Sequence, residues 1–378
     1  LIVWYHEHKV SQPVLETVLA QYGTIGAYLD SGDTLGIPAD AVLKSKRPHE
    51  GEAEALLEEI ERRGAKVWIR GDAEYPEPLA SIPDSPLLLY AKGDYLPSDQ
   101  LAIGVVGSRK CTAYGAWAAE MLVRELAAYD VTIVSGLALG IDRVAHDAAL
   151  KYGTRTIGVI GNGIETIYPK SHRGLYEEVE QHGLVLSEFP TWAQSLPHHF
   201  PFRNRLIAGL SLGLLVVEAQ IKSGTMSTAE HALSQGKDVF CVPGNLNSIY
   251  SAGCNLLIQD GATLVRSADD ILAQIAELSL QRKKQQQREA HALSPGRTRP
   301  AYGNSRAAIA IIDNTPRNAR DSDRQKRNVF ADAVERKDNG KESGHRRVAD
   351  QGEDDRKNAG TKLQSNGFRG PLAGSAQK

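Results

Sequence analysis

Cysteine is scarce in this sequence and never forms a close pair. The 378 residues include three cysteines, Cys111, Cys241 and Cys254. An odd number of widely spaced thiols argues against the disulfide framework of a secreted protein, and no CxxC pair is present. We therefore expect a protein of the reducing cytoplasm, cytoplasmic in location and without disulfide bonds.

Long apolar runs and the signatures of several enzyme classes are also missing. The longest apolar run, LIAGLSLGLLVV at 206–217, is shorter than the roughly 20 residues that cross a bilayer. The sequence has no P-loop of the GxxxxGK[ST] type and no group of His, Cys or carboxylate residues with metal-ligand spacing. Ser135 and Ser223 have no evident partner histidine. We expect no membrane association, no metal, no cofactor and no catalytic residue.

Charge is divided unevenly along the chain. Residues 281–378 carry 22 Lys and Arg against 12 Asp and Glu, although the net charge of the whole chain is -2. This segment has too few apolar residues to offset the conformational entropy lost on folding, and we predict a disordered tail. Only AAIAIID at 307–313 is a candidate for local structure. The tail could be a solvated spacer or a nonspecific nucleic-acid-binding arm.

Between about 100 and 280, short β-rich runs alternate with helical stretches. The predicted strands are LAIGVVG, VTIVSG, RTIGVIG, GLVLSE, LGLLVVEA, DVFCVPG and ATLVRS. This alternation predicts an α/β fold of the extended Rossmann-like type, a parallel sheet with helices on both faces. In such sheets ligands bind beyond the carboxyl ends of the strands. The residues that follow each strand are therefore the candidates for function.

Small and turn-forming residues follow these strands. Gly107, Ser108 and Arg109 follow one strand, and Gly136 and Gly161 follow two others. Such turns let another molecule approach the backbone closely.

A phosphate-binding helix terminus is predicted in KSGTMSTAE. Ser227 and Glu230 have the spacing of a capping box that opens a helix. The terminus, lined by Ser223, Gly224 and Thr225, would bind phosphate oxygens through its free amides.

The stretch PHHFPFRNRLIAGLS places Arg203, Asn204 and Arg205 at the start of an apolar helix. Arginine binds phosphate bidentately and stacks on bases, which lysine cannot do. The alternative is that one of the two arginines is tied to Glu188 or Glu218 inside the fold. The nearby aromatic residues could likewise stack on bases or be part of the core, and they are Phe200, Phe202 and Tyr168.

Asp142 and His146 lie four residues apart, on one face of a predicted helix. They could in principle bind a metal ion. No third ligand is in view, and we interpret both residues as capping and packing groups.

Seven motifs, in order over about residues 75–265, resemble those of the DNA-processing protein DprA (Smf) family. They include GVVGSRKCTAYG, SGLALGIDRVAHDAAL, FPFRNRLIAGLS and VVEAQIKSGTMSTAEHAL. The resemblance implies a homodimer that binds single-stranded DNA and hands it to the RecA recombinase, notably in natural transformation, with no catalytic chemistry. The DNA-binding residues it implies are Gly107, Ser108, Arg109, Gly136, Gly161, Lys170, Phe202, Arg203, Asn204, Arg205, Ser223, Gly224 and Thr225.

The resemblance also implies a domain order. Residues 1–70 would form a small helical domain like a sterile alpha motif, and residues 71–280 the extended Rossmann-like DNA-binding domain. The basic low-complexity tail, 281–378, stands where many relatives have a winged-helix domain. It is either native to this chain or the product of a reading frame altered after about 280.

An enzyme is the main alternative. The lysine-decarboxylase-like nucleoside monophosphate phosphoribohydrolases carry a PGGxGTxxE pattern with a catalytic glutamate. Here the glutamate position is occupied by Thr228, and Glu230 is two residues further, about 200° around a helix. This displacement argues against hydrolysis. A nucleotide-binding sensor is a third hypothesis, because the same site could bind the phosphate of a small nucleotide.

Overall fold

A computed structural model of the chain describes residues 1–36 and 43–293, with side chains as far as residue 287. The predicted strands join into a nine-stranded sheet with the order β1-β2-β6-β5-β4-β3-β7-β8-β9. The strand bounds are β1 (Lys66–Ile69), β2 (Leu88–Gly93), β3 (Ala102–Val106), β4 (Thr132–Ser135), β5 (Thr156–Val159), β6 (Leu184–Ser187), β7 (Gly213–Val216), β8 (Asp238–Cys241) and β9 (Thr263–Leu264).

All seven predicted strands are present, as β3 to β9, and they pair in parallel. The predicted fold class is therefore confirmed. The sequence reading missed β1 and β2, which extend the sheet through antiparallel pairings beyond β6.

The helices of the described part of the chain connect these strands and precede them. Their bounds are α1 (Ile2–Glu7), α2 (Gln12–Tyr22), α3 (Ile25–Ser31), α4 (Glu52–Arg62), α5 (Glu77–Ala80), α6 (Ala113–Ala127), α7 (Ile141–Lys151), α8 (Arg173–His182), α9 (His199–Leu210), α10 (Gly224–Ser234), α11 (Ala252–Gln259), α12 (Ala268–Gln274) and α13 (Ala276–Leu293), with short 3-10 helices at Pro97–Gln100 and Lys170–His172. None of the helices described is long and apolar enough to span a bilayer.

Apolar side chains cover both faces of the sheet. In β3, Ile103 and Val105 pack in one buried cluster, whereas Ala102 and Val106 pack in another. Successive side chains of a strand point to opposite faces, so this split assigns the two clusters to the two faces. Helices α6, α7 and α12 contribute to the first cluster, and α9, α10 and α11 to the second. Burial on both faces explains why the strands are nearly continuous apolar runs.

The connections after β3 and β7 leave the sheet toward opposite faces. Strand β3 continues into α6, and the neighbouring strand β7 continues into α10, which packs on the other face. A crevice opens at such a switch point, outside the carboxyl ends of the strands. The topology therefore places the turns after β3 and β7 side by side.

The N-terminal helices contact the body of the sheet through polar side chains. The Gln12 amide donates from Nε2 to the Ser85 carbonyl at 2.8 Å and accepts at Oε1 from the Leu87 amide at 2.9 Å. The Glu7 carboxylate accepts from the Thr191 amide at 2.9 Å. These bonds tie α1 and α2 to the segments that precede β2 and follow β6.

The domain boundaries at 70 and 280 stay predictions. Strand β1 begins at Lys66, before the first boundary, and α13 continues past the second to Leu293. The predicted tail beyond residue 293, including AAIAIID, lies outside the described residues.

Candidate functional site

A cleft of about 650 Å³ lies at the switch point of the sheet. We call it the first cleft. It is bounded by the turn after β3, the segment that leads from β7 into α10, and one face of α9. Eight predicted DNA-binding residues line it, namely Gly107, Ser108, Arg109, Arg203, Asn204, Ser223, Gly224 and Thr225.

The turn after β3 is pressed against the start of α7. A Cβ atom on Gly107 would lie 2.6 Å from Cγ1 of Ile141, so only glycine fits there without a shift. The Ser108 carbonyl accepts a hydrogen bond from the Ile141 amide at 3.1 Å. This close contact fixes the turn that carries Arg109 into the cleft.

Arg109 is an exposed cation on the wall of the first cleft. Its guanidinium carbon lies 5.0 Å from the ring centroid of Phe200, and Tyr168 packs beside that ring at 5.5 Å. No carboxylate among the described residues lies within ion-pair distance of Arg109 or of its exposed neighbour Lys110. Their charges are therefore available to a bound anion.

Arg203 is buried at the base of the first cleft. Its Nη1 donates to the Gly136 carbonyl at 3.0 Å, whereas its Nε has no acceptor among the residues described. Burial lowers the pKa of Arg203 to about 10, which still leaves the guanidinium charged at neutral pH. A buried and unsatisfied donor is costly in a native structure, which makes the Arg203 guanidinium a candidate for contact with a bound acceptor.

Asp142 flanks the same glycine. Its Oδ2 accepts from the Gly136 amide at 3.2 Å, and burial raises the pKa of this carboxyl, an effect that the charge of Arg203 opposes. A Cβ atom on Gly136 would lie 2.6 Å from Arg203 Nη2 and 2.7 Å from Asp142 Oδ2. The absence of a side chain at 136 thus lets both charged groups share the turn after β4.

The N-terminus of α10 forms the opposite wall. The helix begins at Gly224, three residues before Ser227, so the predicted capping box at Ser227 and Glu230 is wrong. The hydroxyl of Ser223 donates to the Gln220 carbonyl at 2.8 Å and does not cap the helix. The Met226 amide donates to the Ser223 carbonyl at 3.1 Å, whereas the amides of Gly224 and Thr225 have no acceptor among the described residues, next to the positive end of the helix dipole.

Arg205 lies on the other side of α9. It forms a buried ion pair with Glu188, with both nitrogen-to-oxygen distances at 2.6 Å, and donates from Nη2 to the Asp84 carbonyl at 3.0 Å. The alternative of an arginine tied to Glu188 therefore holds for Arg205. Glu218 instead accepts from the Thr112 amide at 2.9 Å, at the start of α6.

The remaining candidates lie around the first cleft. Gly136 and Gly161 line a small cavity of about 40 Å³ that also touches Arg109. Phe202 lines a different cleft together with Arg205, and Lys170 is exposed outside these cavities. The structure thus assembles most of the predicted set and leaves Phe202, Arg205 and Lys170 outside it.

Two histidines support the turn after β4. His146 accepts from the Leu137 amide at Nε2, 3.3 Å away, and burial lowers the pKa of this ring to about 3. The ring of His172 pairs through Nδ1 with the Leu137 carbonyl at 3.0 Å. The interpretation of His146 as a packing group is confirmed, and within the described residues no group of three His, Cys, Asp or Glu could hold a metal ion.

The sequence reading missed several residues of the first cleft. Lys110 and Gln220 lie beside predicted residues, and adjacency alone could have suggested them. Asp142 was visible through its spacing from His146, but its place next to Arg203 depends on the turn after β4, where α7 and α9 from opposite faces of the sheet both reach Gly136.

The family profile described as DNA recombination-mediator protein A matches residues 66–276. The chain belongs to this family. It is 46% identical over 200 residues, 53% of this chain, to the DNA processing protein DprA of Streptococcus pneumoniae and covers 71% of that protein. The resemblance stated from the motifs is thereby confirmed.

Two solved structures of the family share this fold. The X-ray structure of DprA from Streptococcus pneumoniae aligns with a TM-score of 0.63 at 36% identity, covering 72% of this chain and 96% of that one. The DprA structure from Helicobacter pylori, described for its single-stranded DNA binding mode, aligns with a TM-score of 0.51 at 31% identity. It covers 58% of this chain and 96% of that one.

Proposed function

We propose that this chain binds single-stranded DNA in the first cleft and passes it to the RecA recombinase. The phosphates lie against Arg109, Lys110 and Arg203 and against the first turn of α10. The observation that carries the proposal is Arg203, a buried charged group with an unsatisfied Nε in the wall of an open cleft.

The distribution of charge supports a local anion site. Residues 1–280 hold 22 Lys and Arg against 34 Asp and Glu, yet Arg109 and Lys110 in the first cleft have no carboxylate partner among the described residues. Phosphate contacts of this kind position a strand without reading its sequence. The rings of Phe200 and Tyr168 at the same wall offer stacking surfaces for its bases, as in other single-strand sites.

Family membership supports the proposed partners. We propose a homodimer that protects incoming single strands during natural transformation and loads RecA on them in the cytoplasm. The segment 71–280 is assigned as the DNA-binding domain, 1–70 as the small helical domain and 281–378 as the basic tail. No cofactor enters this scheme.

The chain is proposed to be a binding protein and not a hydrolase. Thr228 lines the first cleft at the position where the phosphoribohydrolase pattern has its glutamate, whereas Glu230 is exposed and is not part of the lining. A nucleotide-binding sensor is the second candidate, because the N-terminus of α10 would also accept a single phosphate. The affinity of a sensor would not depend on strand length, whereas that of a DNA-binding protein would.

The test is the affinity of the full chain for a labelled single strand of about 20 nucleotides and for its duplex, measured by fluorescence anisotropy at several salt concentrations. We expect Arg109→Ala to weaken binding similarly for all sequences and to lower the slope of log affinity against log salt by about 0.7. Arg143→Ala is the matched control. This control also removes one arginine charge, but Arg143 is exposed, pairs with Asp147 on α7 and does not line the first cleft.

An unchanged affinity and slope in Arg109→Ala would remove the first cleft from DNA binding. Tight binding of a nucleoside monophosphate, with no gain for longer strands, would favour the sensor. Equal affinity for single strand and duplex would assign binding to the basic tail.

A further inference from the structure

A second cleft, of about 790 Å³, lies on the other side of α9. Its walls come from the N-terminal helices, the segment around Asp84 and the segment after β6. The residues that matter here are Glu16, Arg70, Glu188, Phe189, Phe202 and Arg205. Phe200, Arg203 and Asn204 of α9 face the first cleft. The N-terminal half of this helix thus separates the two clefts.

The cations of the second cleft are already paired. Arg70 binds Glu16 at 2.7 Å, and Arg205 binds Glu188 at 2.6 Å. His6, which also lines this cleft, is neutral near pH 7, because burial lowers the pKa of its ring to about 4. The exposed Asp84 adds a further negative charge. A phosphate would find no free cation among the residues that line this cleft, so the second cleft does not suit a DNA backbone.

Aromatic rings cluster at the start of α9, beside the second cleft. Phe189 stacks on His199 with ring centroids 4.1 Å apart and meets Phe202 edge-on at 6.4 Å. Phe202 is 49% exposed, and the Arg205 guanidinium lies 4.0 Å from its ring centroid. Glu188 holds the Arg205 guanidinium in place, and this guanidinium packs against one face of the Phe202 ring. The result is a fixed aromatic face that points to solvent.

We propose that the second cleft holds bases of the same single strand whose phosphates lie in the first cleft. The inference rests on the proposed function. Phe202 is the stacking surface. Because the cations around it are already paired and Asp84 is acidic, the phosphates of the strand stay outside the cleft. Aromatic faces accept any base, so the subsite lengthens the bound strand without adding sequence specificity.

The test separates bases from phosphates. The full chain and its Phe202→Leu variant are each titrated with a 20-mer and with a fully abasic 20-mer, which has the same phosphates and no bases. Leucine keeps apolar bulk over Arg205 and removes the aromatic face. Phe202→Trp, which keeps an aromatic face, is the rescue control.

We expect Phe202→Leu to weaken binding of the normal strand about five-fold or more and to leave the abasic strand unchanged. Phe202→Trp should bind both strands as the native chain does. Equal losses on both strands, or no loss on either, would overturn the subsite, because the ring would then act on folding or not at all.

The failure of this inference differs from the failure of the proposed function. If Arg109→Ala lowers the salt slope while Phe202→Leu shows no preference for strands with bases, only the second cleft is lost. If Arg109→Ala changes neither affinity nor slope, the DNA path through the first cleft is wrong and the second cleft loses its basis with it.

Discussion

Arg203 and Arg205 are two residues apart on one helix, and burial is nearly complete for both. Arg205 is bound on both guanidinium nitrogens by Glu188 and also contacts the Asp84 carbonyl. Arg203 has one hydrogen bond, to Gly136, and an unsatisfied Nε. Arg205 is fully bonded within the fold, whereas the Nε of Arg203 has no acceptor among the described residues. Two arginines of one motif thus differ in how far the fold satisfies them.

The largest effect should come from breaking the satisfied pair. Arg205→Met leaves the buried Glu188 carboxylate without its cation, and we expect the free energy of unfolding to fall by about 3–5 kcal/mol. Arg203→Met leaves the Gly136 carbonyl without its donor and the buried Asp142 without the opposing charge, so we expect a smaller loss of about 1–3 kcal/mol. Urea unfolding at pH 7 measures both variants. Equal losses would mean that the two arginines hold the fold alike.

A smaller effect should appear in how the free energy of unfolding depends on pH, through His146 near Arg203. His146 supports the turn after β4 and has a pKa of about 3, below the 6.5 of a free histidine. Below pH 6.5 the unfolded chain binds a proton that the folded chain excludes, so stability falls as the pH falls through this window. Between pH 6.5 and 5 the loss from this group is about 2 kcal/mol.

The control for this prediction is His146→Gln. Between pH 6.5 and 5 the unfolding free energy of this variant should fall by about 2 kcal/mol less than that of the native chain. His6, with a pKa of about 4, and the buried carboxyls of Asp142 and Glu188 titrate in both proteins and cancel in the difference. Parallel pH profiles for the two proteins would contradict the assignment to His146.

The smallest effect compares two glycines of the proposed site. At Gly224 a Cβ atom meets nothing within 4 Å, so Gly224→Ala should leave stability unchanged or raise it by up to about 1 kcal/mol. At Gly136 a Cβ atom would collide with Arg203 and Asp142, so Gly136→Ala should destabilise the chain by about 1–3 kcal/mol and weaken DNA binding. Thermal unfolding and anisotropy check both. A tolerated Gly136→Ala would mean that Arg203 is free to move.

The sheet could be predicted because its signal is local. Strands β3 to β9 are continuous apolar runs that end in small residues, and the turns that line the first cleft follow from them. The antiparallel strands β1 and β2 lie before the stretch of about 100–280 in which the alternation was recognised, and they were missed. The N-cap of α10 was placed four residues too late, at Ser227 instead of Ser223, because a capping-box spacing inside a helix looks the same as one at its start.

The division between Arg203 and Arg205 could not be read from the motif. Residues two apart lie about 200° around a helix, so the RNR stretch had to face two ways. The arginine that pairs with a carboxylate is decided by Glu188. This residue follows β6 and reaches Arg205 only through tertiary packing. The position of Asp142 in the first cleft likewise depends on tertiary packing.

The most direct test of the account compares two folded variants in binding a 20-nucleotide single strand. In Glu188→Gln with Arg205→Met the buried pair is replaced by neutral groups, which often costs little stability. Because Arg205 also supports the ring of Phe202, this variant is measured with the abasic 20-mer, for which we expect native affinity. In Arg203→Met one charge-assisted contact is lost, and we expect affinity to fall about ten-fold or more, with a lower salt slope. Native affinity in Arg203→Met, or an equal loss in the double variant, would contradict the claim that Arg203 contacts the DNA phosphates and Arg205 does not.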